Sequence, residues 1–387
     1  MSTTITLPTD DGELRSYVLR DPVTWTKPVE PAKSRIAYAA AHVVADPLGD
    51  NRPGAPAAVD WEATLAFRRH LWSYGLGVAE AMDTAQRGMG LDWDTTRELI
   101  RRSAAEAAWL GARIVAGAGT DQLAEKVSNL DDVVRAYGEQ LDVVQAAGAQ
   151  VVVMASRQLA RLATRPGDYR YVYDRVLTQA ADPVVLHWLG PMFDPALTGY
   201  WGSADLDFAT EAFLELVHDH ADRIDGVKVS LLDAAHERAL RTLLPAGVRL
   251  YTGDDFNYPE LIKGDGVAAS DALLGIFAAI APAASRALHA LDEDDLATYD
   301  EVLAPTVPLS RRVFGAPTRY YKTGIAFLAW LSGLQPGFSM VGGLQSGRGL
   351  PDLAETFRLA DAAGLLPDPE LAAARMSALL AVYGVGR

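Results

Sequence analysis

Only six of the 387 residues are lysines, and one of them, Lys228, lies inside an apolar run, Gly226-Val227-Lys228-Val229-Ser230-Leu231-Leu232. Burying an ammonium group costs free energy, so burial lowers a lysine pKa and favours the neutral amine. A neutral amine attacks a carbonyl and forms an imine. An ion-paired lysine at a strand end is the other reading of the same residue. The remaining lysines, Lys27, Lys33, Lys126, Lys263 and Lys322, fall in loops or helical patterns and read as solvated charges. His187, near the end of the apolar run 183–189, is a natural general acid or base. His42, at the end of the run 35–44, is a second, weaker candidate. Glu80 and Asp83, three apart at the end of the run 75–83, offer two chemistries. They could accept hydrogen bonds from sugar hydroxyls, or join His187 in holding Mg²⁺, Mn²⁺ or Zn²⁺.

Such residues need a frame. From residue 34 onward, short apolar runs alternate with amphipathic helical stretches; the runs are 35–44, 75–83, 113–119, 150–156, 183–189, 226–232, 248–255 and 266–272. Near-continuous apolar strands separated by helices indicate a parallel sheet covered on both faces. Eight βα units within about 240 residues fit a closed (β/α)₈ TIM barrel. A doubly wound open sheet is the alternative, but the first turn, HVVADPLGDNRPG, is not a glycine-rich dinucleotide turn. Asp60, Asp94 and Asp131 stand where helix N-caps are expected. Residues 1–33 read as an N-terminal β-hairpin extension turning at Asp10-Asp11-Gly12, residues 34–280 as the barrel, and residues 281–387 as a C-terminal helical appendage. Active sites of such barrels lie at the C-terminal strand ends, which adds Ser156, Asp254, Asp255 and Ser270 to the candidates.

Composition narrows the classes. The absence of cysteine excludes disulfide scaffolds, thiolate metal sites and cysteine nucleophiles. Fifty acidic against 35 basic residues argue against a nucleic-acid partner. No apolar run reaches the roughly 18 residues a membrane span needs, and the N-terminus lacks a signal-peptide plan. The expectation is a cytoplasmic protein. No G-x-S-x-G elbow is present. His218-Asp219-His220 reads as surface, and Gly342–Gly349 as a turn rather than a phosphate cradle. Trp188, Phe193, Tyr200 and Trp201 read as an aromatic lid or as packing.

At Gly226-Val227-Lys228 and Thr252-Gly253-Asp254-Asp255, the chain resembles the dihydrodipicolinate synthase and N-acetylneuraminate lyase superfamily, the class I Schiff-base aldolase barrels. The Val115-Ala116-Gly117-Ala118-Gly119 run and Gly264-Asp265-Gly266-Val267-Ala268-Ala269-Ser270 echo two further motifs of that group. The resemblance implies an imine-forming lysine at Lys228, no organic cofactor and a homodimer or homotetramer. Asp254 or Asp255, at the next strand end, would position the lysine or the substrate, and Ser156 and Ser270 are strand-end binding candidates. Three places depart from the pattern, one of them Ala155-Ser156-Arg157-Gln158, which stands where the synthases have an aromatic pair after strand four. Ala79-Glu80-Ala81-Met82-Asp83-Thr84 stands where Gly-Thr-Thr-Gly-Glu holds the carboxylate of pyruvate, and two carboxylates there repel a 2-keto acid. His187 occupies the place of the proton-shuttling tyrosine. The leading expectation is a lyase, aldolase or dehydratase acting on a small, sugar-derived carbonyl compound through Lys228. The alternatives are a divalent-metal isomerase or lyase using Glu80, Asp83 and His187, and a barrel that only binds a ligand.

Overall fold

The structure is a computed structural model that describes residues 3–123 and 127–385; Lys126 lies outside the described residues. An antiparallel hairpin, β1 (Thr4–Pro8) and β2 (Leu14–Val18), opens the chain. Eight strands follow: β3 (Ala37–Ala40), β4 (Gly77–Glu80), β5 (Ile114–Ala118), β6 (Gln150–Val153), β7 (Val184–Leu189), β8 (Ile224–Ser230), β9 (Arg249–Thr252) and β10 (Asp271–Leu274). Each pairs in parallel with the next, and β10 pairs with β3, closing a (β/α)₈ barrel.

The strands are apolar on both faces because each face is covered. Tyr38, Ala40, Ala79, Val115, Val152, Val185, Tyr251 and Leu273 point inward and fill the lumen. Their neighbours Ala39, Val78, Val151, Leu186, Val227, Leu250 and Ala272 pack outward under the helices. Two glycines make room for the largest lumen side chains. A Cβ on Gly77 would lie 2.4 Å from the Tyr38 ring, and one on Gly226 would lie 2.6 Å from the Tyr251 ring. The Tyr251 hydroxyl donates to Asp225 at 2.8 Å, which satisfies it at the lower end of the barrel.

Helix starts follow side-chain caps. Asp60 caps the helix Trp61–Ser73 by accepting from the Ala63 amide, as expected. Two other starts fall two residues earlier than the sequence suggested. Asp92 caps Trp93–Leu110 and Asn129 caps Leu130–Ala146, leaving Asp94 and Asp131 in the first turns, where a carboxylate favours the helix dipole.

Six helices from Ala281 to Val382 form the C-terminal region. The helix Tyr321–Leu331 is buried along all of its 11 residues. The hairpin docks on this region: the Tyr17 hydroxyl donates to Asp361 at 2.7 Å, and the Arg358 guanidinium donates to the Pro8 carbonyl at 2.7 Å. Among the described residues no helix is long and apolar enough to cross a membrane.

The eighth barrel strand lies later than residues 266–272. Gly264 and Gly266 both take left-handed conformations, and the Asp265 carboxylate accepts from the amides of Val267 and Ala268. This turn consumes the expected strand, and pairing begins only at Asp271. His218 and His220 lie apart from the barrel mouth, bonded to the Leu243 carbonyl and to Asp174 respectively. Arg348 donates to the carbonyls of Val313 and Gly315, so the glycine-rich turn Val341–Gly347 is fastened internally.

Candidate active site

Lys228 and His187 are register partners on β8 and β7, both pointing into the lumen above Val185 and Tyr251. Lys228 is only 7% exposed. Its ammonium makes no hydrogen bond and no ion pair within 4 Å among the described residues. Burial pushes its pKa down to about 8, while Asp83 and Asp255 favour the charged form. Gly253 allows this close packing: a Cβ there would sit 2.9 Å from Lys228 Cε and closer still to Ser230 Oγ. The glycine of the Thr252-Gly253-Asp254-Asp255 turn thus serves the lysine beside it.

A small pocket of about 10 Å³ adjoins the lysine, lined by Met82, Asp83, Thr84, Leu189, Phe193, Ser230, Asp255 and Tyr321 among others. That is space for about one water molecule. Asp83 reaches it through an unusual backbone. Ala81, just after β4, has φ 52°, a left-handed conformation that costs a residue with a Cβ on the order of 1–2 kcal/mol. The Asp83 side chain has no hydrogen-bond or salt-bridge partner among the described residues. Asp255 accepts from the Ile276 amide at 2.8 Å. Burial raises its pKa, and the hydrogen bond and Lys228 offset this only in part. The Tyr321 hydroxyl shares a hydrogen bond with Thr84 Oγ1 at 2.8 Å. Burial and the nearby Asp83 charge keep that phenol protonated.

His187 stands one step behind this pocket. Its Nε2 is 3.1 Å from Ser230 Oγ, which lines the pocket, and its Nδ1 has no partner. Burial and the adjacent Lys228 charge push its pKa well below the ordinary histidine value, so the ring is neutral near pH 7.

Several expected site residues belong elsewhere. Glu80 faces outward and forms a two-pronged pair with Arg68, both bonds 2.9 Å and both side chains fully buried. The set Glu80, Asp83 and His187 is therefore not assembled: one carboxylate is outside the barrel wall and committed to an arginine. Among the described residues no group of three metal-ligating side chains could hold an ion. His42 lies in the same outer seam, with Nε2 2.7 Å from Gln335 and its ring against Phe67. Burial lowers its pKa to about 4. Asp254 is used by its own turn, accepting from the amides of Phe256 and Asn257. Ser270 precedes β10, at the opposite end of the barrel from the lysine pocket, and donates to Glu237 at 2.8 Å. Ser156 caps a short helix and shares a hydrogen bond with Thr120 at 2.6 Å, one residue removed from the mouth cavity described below.

The reading from sequence also missed residues. Ser230 is a strand-end candidate of the sequence and does line the pocket; Thr84 follows from the same strand-end rule, but Tyr321 comes from the C-terminal region and had no signal near the barrel. Lys322 is not a solvated charge: it is 3% exposed, with its ammonium donating to the Arg319 carbonyl at 3.1 Å. Of the aromatic cluster, Phe193 lines the lysine pocket, whereas Trp188 and Trp201 pack against Phe213 as core.

A family model described as "Protein of unknown function (DUF993)" matches residues 5–385. The chain belongs to that family. No curated protein matches this DUF993 member in sequence. Its fold is that of the dihydrodipicolinate synthases. The synthase structure from Oceanobacillus iheyensis is 14% identical, with a TM-score of 0.65 over 85% of this chain and 96% of that one. The chloride-inhibited synthase from Acinetobacter baumannii, complexed with pyruvate, is 17% identical, with a TM-score of 0.62 over 85% and 99%. The enzyme from Aquifex aeolicus is 13% identical, with a TM-score of 0.59 over 91% and 98%.

Proposed function

We propose that this protein is a Schiff-base-forming lyase, an aldolase or dehydratase, acting on a small carbonyl compound through an imine on Lys228. The observation that supports it most is a buried lysine whose ammonium has no partner among the described residues, facing a pocket that also holds Asp83, Asp255, Ser230 and Tyr321. A lysine kept for structure would be neutralised by a close carboxylate. The neutral amine attacks the carbonyl carbon to give a carbinolamine. Asp255, kept partly protonated by burial, delivers the proton with which the carbinolamine oxygen leaves as water.

The resulting iminium is an electron sink. In the aldol direction Asp83 takes the proton of a β-hydroxyl, the bond between the α- and β-carbons breaks, an aldehyde departs and the electron pair forms an enamine. Protonation at the α-carbon and hydrolysis by water restore Lys228. In the dehydratase direction an α-proton is lost and the β-hydroxyl leaves as water. Ser230, bonded to neutral His187, and the Tyr321 phenol are the remaining proton carriers facing the site. No organic cofactor enters either route.

The test is borohydride trapping with a panel of keto and aldo compounds, comparing the wild-type protein with Lys228→Ala by peptide mass spectrometry. A reduced adduct on the Lys228 peptide, absent in the variant, is expected. A folded protein that gives no Lys228 adduct with any carbonyl and keeps its ligand binding would be a binding barrel instead.

A further inference from the structure

The lysine pocket shares Asp83 and Leu189 with a much larger cavity of about 590 Å³, within the range of small-molecule sites. A substrate that reaches Lys228 must extend its remainder into this space. Its lining carries three arginines, Arg87, Arg157 and Arg161, and three aspartates, Asp83, Asp121 and Asp194. Arg87 is fully engaged, donating to the Gly117 carbonyl at 2.8 Å, to Gln140 at 2.6 Å and to Asp121 at 3.1 Å. Arg157 and Arg161 are different. They sit four residues apart on the short helix Arg157–Leu162, so both project from one face into the cavity.

Arg157 lies directly over Gly88, where a Cβ would come within 2.6 Å of its guanidinium, and pairs with Asp194. Arg161 has no ion pair or hydrogen bond among the described residues. Lys322, buried nearby, feels the charge of Asp83 first and then those of Arg157 and Asp194, yet has no carboxylate within 4 Å among the described residues. Thr120 and Gln158 add neutral polar groups to the same wall.

We infer that the far end of the substrate is an anion, a phosphate or a carboxylate, seated on Arg161 and Arg157. Guanidinium groups bind such oxyanions through paired, charge-assisted hydrogen bonds. An anion next to the carbonyl would instead meet Asp83, so the site selects carbonyl compounds charged at the end remote from the carbonyl and rejects 2-keto acids. The placement of the carbonyl rests on the imine reading at Lys228; the anion seat does not.

The experiment measures binding of inorganic phosphate, and separately of glutarate, by calorimetry to wild-type protein, Arg161→Gln, Arg157→Gln and Lys228→Met. One anion or the other is expected to bind wild-type and Lys228→Met alike, and about tenfold or more weakly in the arginine variants. Whichever binds identifies the oxyanion class. Equal binding to wild-type and both arginine variants, or no binding of either anion, overturns the inference. Trapping with sugar phosphates against their unphosphorylated parents, and with remote-carboxylate carbonyl compounds against uncharged analogues, separates the two claims. Anion binding without any adduct removes the imine and leaves the seat. Adducts formed equally well by charged and uncharged compounds remove the seat and leave the imine.

Discussion

Glu80 and Asp83 are three residues apart on one chain segment, and the barrel wall separates their fates. Outside, Glu80 is fully buried and held by two 2.9 Å bonds from Arg68, whose guanidinium also bonds the Thr64 carbonyl at 3.1 Å. Inside, Asp83 is half-buried and set beside Lys228, and neither side chain has a hydrogen-bond or ion-pair partner among the described residues. Buried charges that are closed on one another hold the helix Trp61–Ser73 to the barrel. Charges left open to one another across a small pocket are available to a substrate. Strand alternation already sets residues three apart on opposite faces, and beyond the end of β4 at Glu80 the left-handed Ala81 leads into the short turn that carries Asp83.

The comparison can be broken at several points. Lys228→Ala should abolish trapping altogether, a loss of at least about 10³-fold in adduct rate, because among the described residues no other amine lines the pocket. Peptide-resolved mass spectrometry checks it. On the outer side, Glu80→Ala leaves Arg68 buried and unpaired and should cost about 3–5 kcal/mol in denaturant unfolding. Asp83→Asn should reverse that pattern, with stability within about 1 kcal/mol of wild-type and a trapping or turnover rate down by about 10²-fold.

Lys228→Met sharpens the contrast through pH. The folded-state pKa of Lys228 lies near 8, below the roughly 10.4 of an unfolded lysine. The unfolded chain therefore binds more protons between those values, and wild-type stability rises with pH across that window. The variant should be more stable than wild-type by on the order of 1–3 kcal/mol at pH 7, and the gain should fade between pH 8 and about 10.4. The smallest effect belongs to His187→Gln. Because His187 acts only through Ser230, this change should lower the rate about tenfold or less, and Ser230→Ala combined with it should add little.

The barrel was legible because its eight apolar runs are nearly continuous, a pattern that two-sided burial imposes. Lys228 was legible for the same reason, as a charge inside such a run. Phase within the runs was not. Alternation alone puts residues three apart on opposite faces, but taking both as strand-end residues made Glu80 and Asp83 read as one pair. The partner of Glu80 is an arginine on the preceding helix, hidden among Arg68, Arg69 and His70. Ser270 was misplaced because its Gly-x-Gly segment resembles a strand motif yet turns at both glycines. Tyr321 and Lys322 arrive from a distant helix, but there a signal was present. The segment YKTGIAFLAWL offers no polar face beyond its start, so its lysine had to be buried with it.

The most direct test of the central claim needs no substrate. Reductive methylation with formaldehyde and borohydride, quantified lysine by lysine across pH 6 to about 11, reads the neutral amine fraction at each site. The account predicts that the Lys228 peptide is labelled with an inflection near pH 8, well below the roughly 10.4 of an unperturbed lysine. A Lys228 that stays unlabelled in the folded protein, or that inflects with the solution lysines near pH 10.4, would contradict it.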